Sequence, residues 1–239
     1  MQYLLRRKII YTFLIILLCP LFAFTQLHEL NQPDHGESPF HFGITVGVNR
    51  ANYNFTRHPR FLQYDSVLVI ESLNSTGINL AWLVNFRLGD HFDVRTYPLD
   101  LIFTEKAFQY NLKYPFRPAH EDSVTIKKVQ GITLALPVQI KFTSDRIENL
   151  RVYMMAGAKI EYDMAAGKKT ESIIQLHKFD YGLEAGIGFH FYFPVFVLTP
   201  ELKMGWGLAN LHARDADVKY SNVIDKINSR TITFSLTVE

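Results

Sequence analysis

Phe179-Asp180-Tyr181-Gly182-Leu183-Glu184-Ala185-Gly186-Ile187-Gly188-Phe189-His190-Phe191-Tyr192 is the stretch whose reading decides the fold. Every odd position from Phe179 to Phe191 is apolar, and the even positions hold Asp180, Gly182, Glu184, Gly186, Gly188 and His190. A period of two is the signature of a strand with one face in an apolar medium and the other in a polar one. Polar face residues that are mostly glycine or charged need a reason, because a strand facing bulk water has no use for so many glycines.

Working outward, the same alternation recurs along the chain. Phe40, Phe42, Ile44, Val46 and Val48 share a face, as do Ile78, Leu80, Trp82, Val84 and Phe86. So do Ile132 to Phe142, Val152 to Tyr162, Leu202 to Leu208 and Ile232 to Val238, taken at every second residue. Only the run from Phe92 to Leu112 breaks phase, from Phe92 and Val94 to Leu99, Leu101 and Phe103 across Pro98, as a bulge would make it do, and again near Phe108. Eight runs result. Their connections are short at 88–91, 143–150 and 192–194, and long at 51–77, 113–128, 164–178 and 209–230, in strict alternation. In an up-and-down barrel alternate connections lie at opposite ends. The pattern therefore predicts an all-β fold, an eight-stranded antiparallel up-and-down transmembrane β-barrel with short periplasmic turns, long extracellular loops and both termini periplasmic.

The chain start agrees with export. Arg6, Arg7 and Lys8 precede an apolar run too short for a comfortable membrane span, which reads as a signal peptide over residues 1–25. Residues 26–39, with Pro33, Gly36 and Pro39, read as a short exposed periplasmic tether, and 40–239 as the barrel. Without Arg6, Arg7 and Lys8 the 25 basic residues fall to 22 against 23 acidic ones, a balance that offers nothing to nucleic acid. The single cysteine, Cys19, lies inside the signal, so no disulfide or thiolate metal site is expected in the mature chain.

Size assigns the faces. An eight-stranded barrel has an interior just wide enough to be filled by side chains. The Gly-rich, sparsely charged face suits that space, whereas the Phe, Leu, Ile, Val and Trp face would coat the outside. Aromatics at both ends of the runs, such as Phe40, Phe142 and Phe191 at one and Phe179, Tyr181 and Trp206 at the other, form two girdles. The inward charges are Arg87, Asp93, Arg95, Lys141, Arg151, Lys159, Glu161, Asp163, Asp180, Glu184, Glu201 and Lys203. With both signs in similar number, they read as a cross-linked structural network of paired ions in the lumen.

Catalytic motifs are weak. Loop serines such as Ser172 and Ser221 stand near no histidine in a local motif, and Ala166-Gly167-Lys168-Lys169-Thr170 lacks the earlier glycine and the strand-to-helix context of a phosphate loop. No catalytic, cofactor-binding or metal residue, and no small-molecule substrate, is expected.

Several segments resemble the PorT (SprT) proteins of the type IX secretion and gliding systems of Bacteroidota. The resemblance is carried by Phe42-Gly43-Ile44, by Arg95-Thr96-Tyr97-Pro98-Leu99-Asp100-Leu101-Ile102-Phe103-Thr104-Glu105-Lys106, by Leu136 to Phe142 with Ser144-Asp145-Arg146, and by Asp180-Tyr181-Gly182-Leu183-Glu184. The segments Arg95 to Lys106 and Ser144 to Arg146 are the specific ones. Pro98, Asp100, Glu105, Lys106, Asp145 and Arg146 thus join Arg95 as family-like residues of unknown role. The resemblance implies an outer-membrane barrel required for exporting sorting-domain cargo, or adhesins in gliding relatives, by contact with outer-membrane lipid and other secretion components and without catalysis. An OmpA-like structural or adhesive barrel is the alternative, and a lipid-modifying enzyme a third. One departure is the chain's last pair, Val238-Glu239, where barrel insertion favours an aromatic. Ser66 and Ser123, each in an Asp-Ser-Val triplet, look like O-glycan acceptors of that phylum.

Overall fold

The computed structural model of the chain describes residues 30–36, 38–59, 67–112, 124–164, 175–213 and 224–239. Its strands are β1 (Phe40–Arg57), β2 (Val67–Leu73), β3 (Ser75–Arg87), β4 (Phe92–Leu112), β5 (Val124–Thr143), β6 (Leu150–Asp163), β7 (Gln175–Leu176), β8 (Phe179–Tyr192), β9 (Val197–Gly207), β10 (His212–Ala213) and β11 (Ile224–Val238). The ring runs β1, β3, β4, β5, β6, β8, β9, β11, each strand antiparallel to the next, and β11 returns to β1 with Val238 opposite Ile44. Eight strands thus close on themselves into a barrel. β2 prolongs the line of β3 along β4 beyond Asn74. Among the described residues no helix is long and apolar enough to cross a membrane.

The apolar face points outward. Ile44 is 62% exposed and Ile187 49%, and Trp82, Leu136, Ile160, Leu202 and Phe234 share their exposure. Thr45, Gln139, Glu201 and Ser235, on the opposite face, are shut away from solvent. At ~3.4 Å per residue and a tilt of ~40°, the outward residues span about 21 Å of barrel height on β1 (Phe40 to Val48) and about 31 Å on β8 (Phe179 to Phe191). Those heights bracket the apolar band of about 25 Å that outer-membrane barrels present. Rings cluster at the rims: Phe40 lies edge-on to Phe86 at 5.5 Å, Phe92 is 5.1 Å from Phe142, and Tyr162 is 4.9 Å from Phe179.

The bulge at Pro98 is present. Pairing slips by one residue between Thr96 and Asp100 against β5, and between Trp82 and Val84 against β3. Arg95 and Tyr97 point inward before it, and Asp100 and Thr104 after it. Val84, expected on the apolar outer face, is buried beside this slip, and Ala81, Leu83 and Tyr97 make a small apolar cluster inside the wall.

Two expectations need correction. From Asp100 opposite Ala135 to Asn111 opposite Val124 the pairing with β5 continues without a second slip, and the irregularity near Phe108 lies in the neighbouring strands instead: four residue steps from Gly77 to Leu73 oppose three from Thr104 to Ala107. Beyond the apolar belt no lipid selects for greasy residues, and hydropathy stops reporting which way a strand faces. For the same reason the long connections are shorter than the sequence suggested: β1 runs to Arg57, β5 starts at Val124 and β11 at Ile224. A ladder continues into water because its hydrogen bonds do not need a lipid face.

Both ends are covered. At the long-loop end β7 pairs with β10, His177 N–H donates to the Leu211 carbonyl at 2.8 Å, and Leu211 N–H to that of Ile227 at 2.9 Å. Tyr53, Leu176, Leu211, Ile224 and Ile227 are buried beneath that cap. At the short-turn end residues 30–36, part of the stretch expected as a short exposed tether, are docked. Their turn Pro33–Gly36 lies against the mouth because Asn31 and Gln32 are hydrogen-bonded to Asn149, Tyr192 and Phe193.

Candidate functional site

Inside the wall, alternation aims one residue in two at a narrow lumen, and the charges meet there in tiers. The middle tier centres on Glu201 of β9. Its carboxylate accepts from the Arg95 guanidinium and the Tyr153 hydroxyl, and from the Tyr97 hydroxyl at 3.2 Å, with Lys203 Nζ at 3.7 Å. Arg95, Tyr97 and Glu201 are fully buried. Arg95 also lies 5.2 Å from the Tyr153 ring centre, and Lys203 4.4 Å from that of Tyr97. Two cations therefore face one carboxylate, with tyrosine faces taking up the surplus positive charge. The Tyr153 ring fits only because its neighbour is glycine: a Cβ on Gly188 would stand 2.3 Å from it.

Toward the long-loop end, Gln139 donates to Glu184, Lys159 pairs with Glu161, and Asp180 accepts from Ser229 Oγ at 2.6 Å and from Ala209 N–H at 3.3 Å. Asp100 lines a cavity of about 30 Å³ with Lys159, Glu161, Glu184 and Lys203. Asp163 lines a separate pocket under the cap. Toward the short-turn end, Lys141 pairs with Asp93 at 2.9 Å and lies 3.2 Å from His190 Nε2, while His190 Nδ1 meets Thr199 Oγ at 2.8 Å. The mouth holds a second cavity of about 30 Å³. Between the two stands the buried Arg95–Tyr97–Tyr153–Glu201 layer, so the lumen is a packed core.

Arg87 and Arg151 line the mouth cavity beside the short-turn tier and are bonded at the rim. Arg87 pairs with Asp90 at 2.9 Å, and Arg151 donates to the carbonyls of Ser144 and Asp90 at 2.7 and 2.8 Å. Of the family-like residues, Pro98 is exposed at the bulge, Glu105 sits opposite Gln130, and Lys106 is paired with Val129 along the backbone. Asp145 is exposed, 3.9 Å from His91 Nε2. Arg146 has the most specific contacts: its guanidinium donates to the Asn31 and Gln32 carbonyls and to Asn149 Oδ1, and stacks 3.8 Å from the Tyr192 ring centre. Ser66, Ser123, Ser172, Ser221 and the Ala166 to Thr170 segment lie outside the described residues.

Sequence reasoning passed over Tyr97, Gln139, Tyr153, His190 and Glu239. Tyr153 and His190 were on the polar face by parity, which was the available signal. Glu239 folds inward, its Oε1 3.4 Å from Arg95 and its backbone exchanging hydrogen bonds of 2.9 and 3.0 Å with Val197. Beside it lie His41 of β1 and His35 of the docked turn, their ring centres 4.3 Å apart. Burial pushes the His35 pKa below its ordinary value, and His41 lowers it further.

A closed eight-stranded antiparallel barrel, apolar outside and filled with paired charge inside, is an outer-membrane β-barrel protein. The sequence agrees: residues 24–213 match the model of the outer membrane protein beta-barrel domain, and the chain belongs to that family. Similar solved structures include Neisserial surface protein A, 11% identical with TM-score 0.44 over 84% of this chain and 99% of that one. Ail of Yersinia pestis is 12% identical with TM-score 0.39 over 84% and 99% of the two chains. OprG of Pseudomonas aeruginosa is 10% identical with TM-score 0.39 over 82% and 93%. No curated protein sequence matches the chain.

Proposed function

We propose that this outer-membrane barrel works by protein contact and catalyses nothing, as a component of the type IX secretion machinery. The observation that carries the contact reading is the packed lumen: the Arg95–Glu201 layer separates the mouth cavity from the one beside Asp100, so activity belongs to the ends and not to a conduit. In this reading the short turns, the docked segment and both termini face the periplasm, and the long loops face outward. The secretion role is supported by the two specific segments of the resemblance. Arg146 holds the docked segment at the short-turn end, the surface this reading gives to a periplasmic partner, while Arg95 anchors the buried layer inside the barrel. No cofactor is needed. Deleting the gene should abolish export of sorting-domain cargo while the permeability barrier stays intact, and unchanged export refutes the secretion role.

A second reading is an OmpA-like structural or adhesive barrel. It is favoured by the β4–β5 ladder, which extends from Thr104 opposite Gly131 to Asn111 opposite Val124, beyond the apolar belt. Deletion would then abolish surface binding and leave export unchanged. A lipid-modifying activity would instead alter lipid A masses.

A further inference from the structure

We propose that His35, His41 and Glu239 bind one divalent transition-metal ion of the zinc type, which pins the docked N-terminal segment to the barrel wall. One ligand atom from each of the three side chains lies within 4.8 Å of the others. They come from three different elements: the turn Pro33–Gly36, the first inward position of β1 and the residue after β11. Two imidazoles and one carboxylate are a donor set of intermediate softness that suits zinc, and three protein ligands leave a fourth position for water.

The basic groups nearby have partners of their own. Arg95 engages Glu239 Oε1 at 3.4 Å, which leaves Oε2 to face His35 Nε2 at 3.9 Å. Lys141 is taken by Asp93 at 2.9 Å, and Arg146 by the carbonyls of Asn31 and Gln32. The nearest cations are thus committed elsewhere, and the two imidazoles with the free carboxylate oxygen line a small polar cavity at the mouth. Donors around a tetrahedral zinc stand about 3.4 Å apart, given metal–ligand distances near 2.1 Å. The turn carrying His35 is already docked, so the backbones that bear the three ligands are brought together before any metal binds. A metal here would join the segment to both the first and the last strand, at the seam where the barrel closes.

The test uses the full mature chain folded in detergent micelles, with zinc titrated in competition with a chromophoric chelator. One zinc should bind per chain, and His35→Ala, His41→Ala and Glu239→Gln should each weaken binding at least tenfold. His91→Ala, which changes a histidine at the same end but outside the cluster, should leave it unchanged. Each variant's heat-modifiable electrophoretic shift shows that its barrel has folded. Zinc should also slow proteinase K cleavage at 30–36 at least tenfold in the wild type and not in His35→Ala. Absence of saturable zinc binding, or binding retained by a folded His35→Ala/His41→Ala variant, overturns the proposal.

Discussion

Glu201→Gln is the substitution that probes the lumen layer most sharply. The change is nearly isosteric, so packing is preserved while one negative charge is lost; the amide oxygen can replace Oε1 as acceptor for Arg95 and Tyr153, and the Tyr97 hydroxyl, bonded to Oε2, must then turn to accept from the amide NH2. Arg95, fully buried, and Lys203 at 3.7 Å then face each other without their shared counter-ion. Removing one partner of a buried ion pair costs about 3–5 kcal/mol because the remaining charge stays desolvated. Tyrosine faces beside both cations and the more distant Glu239 carboxylate offset part of this, so about 3 kcal/mol is expected. Reversible urea unfolding in lipid vesicles, followed by tryptophan emission, measures the loss. Arg95→Met combined with Glu201→Met should be less destabilising than the two single changes together, by at least about 1 kcal/mol, since the pair is removed as a unit. A loss under 0.5 kcal/mol for Glu201→Gln, or strict additivity in the double variant, would refute the claim that this carboxylate holds the layer.

Other outcomes follow from the same contacts. Gly188→Leu should displace the Tyr153 ring and destabilise the barrel by at least about 2 kcal/mol, measured by the same unfolding assay. Ile187→Arg puts a charge on the outer face near mid-belt and should cost about 2–4 kcal/mol in bilayers. Arg146→Ala removes charge-assisted bonds to Asn31 and Gln32 and should raise proteolysis of that segment about thirtyfold, equivalent to about 2 kcal/mol, while β-sheet circular dichroism is unchanged. Acid should loosen the same segment. The docked His35 has a lowered pKa, so the undocked form binds more protons and docking is fully present above the ordinary histidine value of about 6.5. Docking weakens as pH falls through that value, with His41, Lys141 and Arg146 all disfavouring a proton there and Glu239 opposing them. Protease protection of residues 30–36 should therefore decline from pH 7.5 to 5.5.

Strand parity made most of the barrel legible. In β8 the alternation of Phe179 to Phe191 with Asp180 to His190 settled which residues face lipid, because hydrocarbon imposes a period of two wherever it touches the wall. The slip at Pro98 was readable for the same reason, since a bulge exchanges the faces and the sequence had to exchange with it. Beyond the belt that constraint lapses, which is why β1 past Asn49 was read as a connection and the phase of β4 near Phe108 was misread, although its extent to Leu112 was legible. Within the lumen, parity could name Arg95, Glu201 and Lys203 as inward but not join them. Their meeting depends on register across several strands, and on glycines such as Gly188 that leave room for a tyrosine. The docked N-terminal segment was opaque, because Arg146 reaches carbonyls more than a hundred residues away that carry no side-chain signal.

The central claim is that the apolar face of each of the eight ring strands touches hydrocarbon. The chain has two tryptophans, Trp82 and Trp206, both on the outer face and 51% and 38% exposed. Their fluorescence in vesicles of lipids brominated along the acyl chain measures that contact without any label. Strong quenching relative to unbrominated vesicles is expected for both residues, read separately in Trp82→Phe and Trp206→Phe variants. Emission indifferent to bromine, with quenching by aqueous iodide instead, would contradict the account.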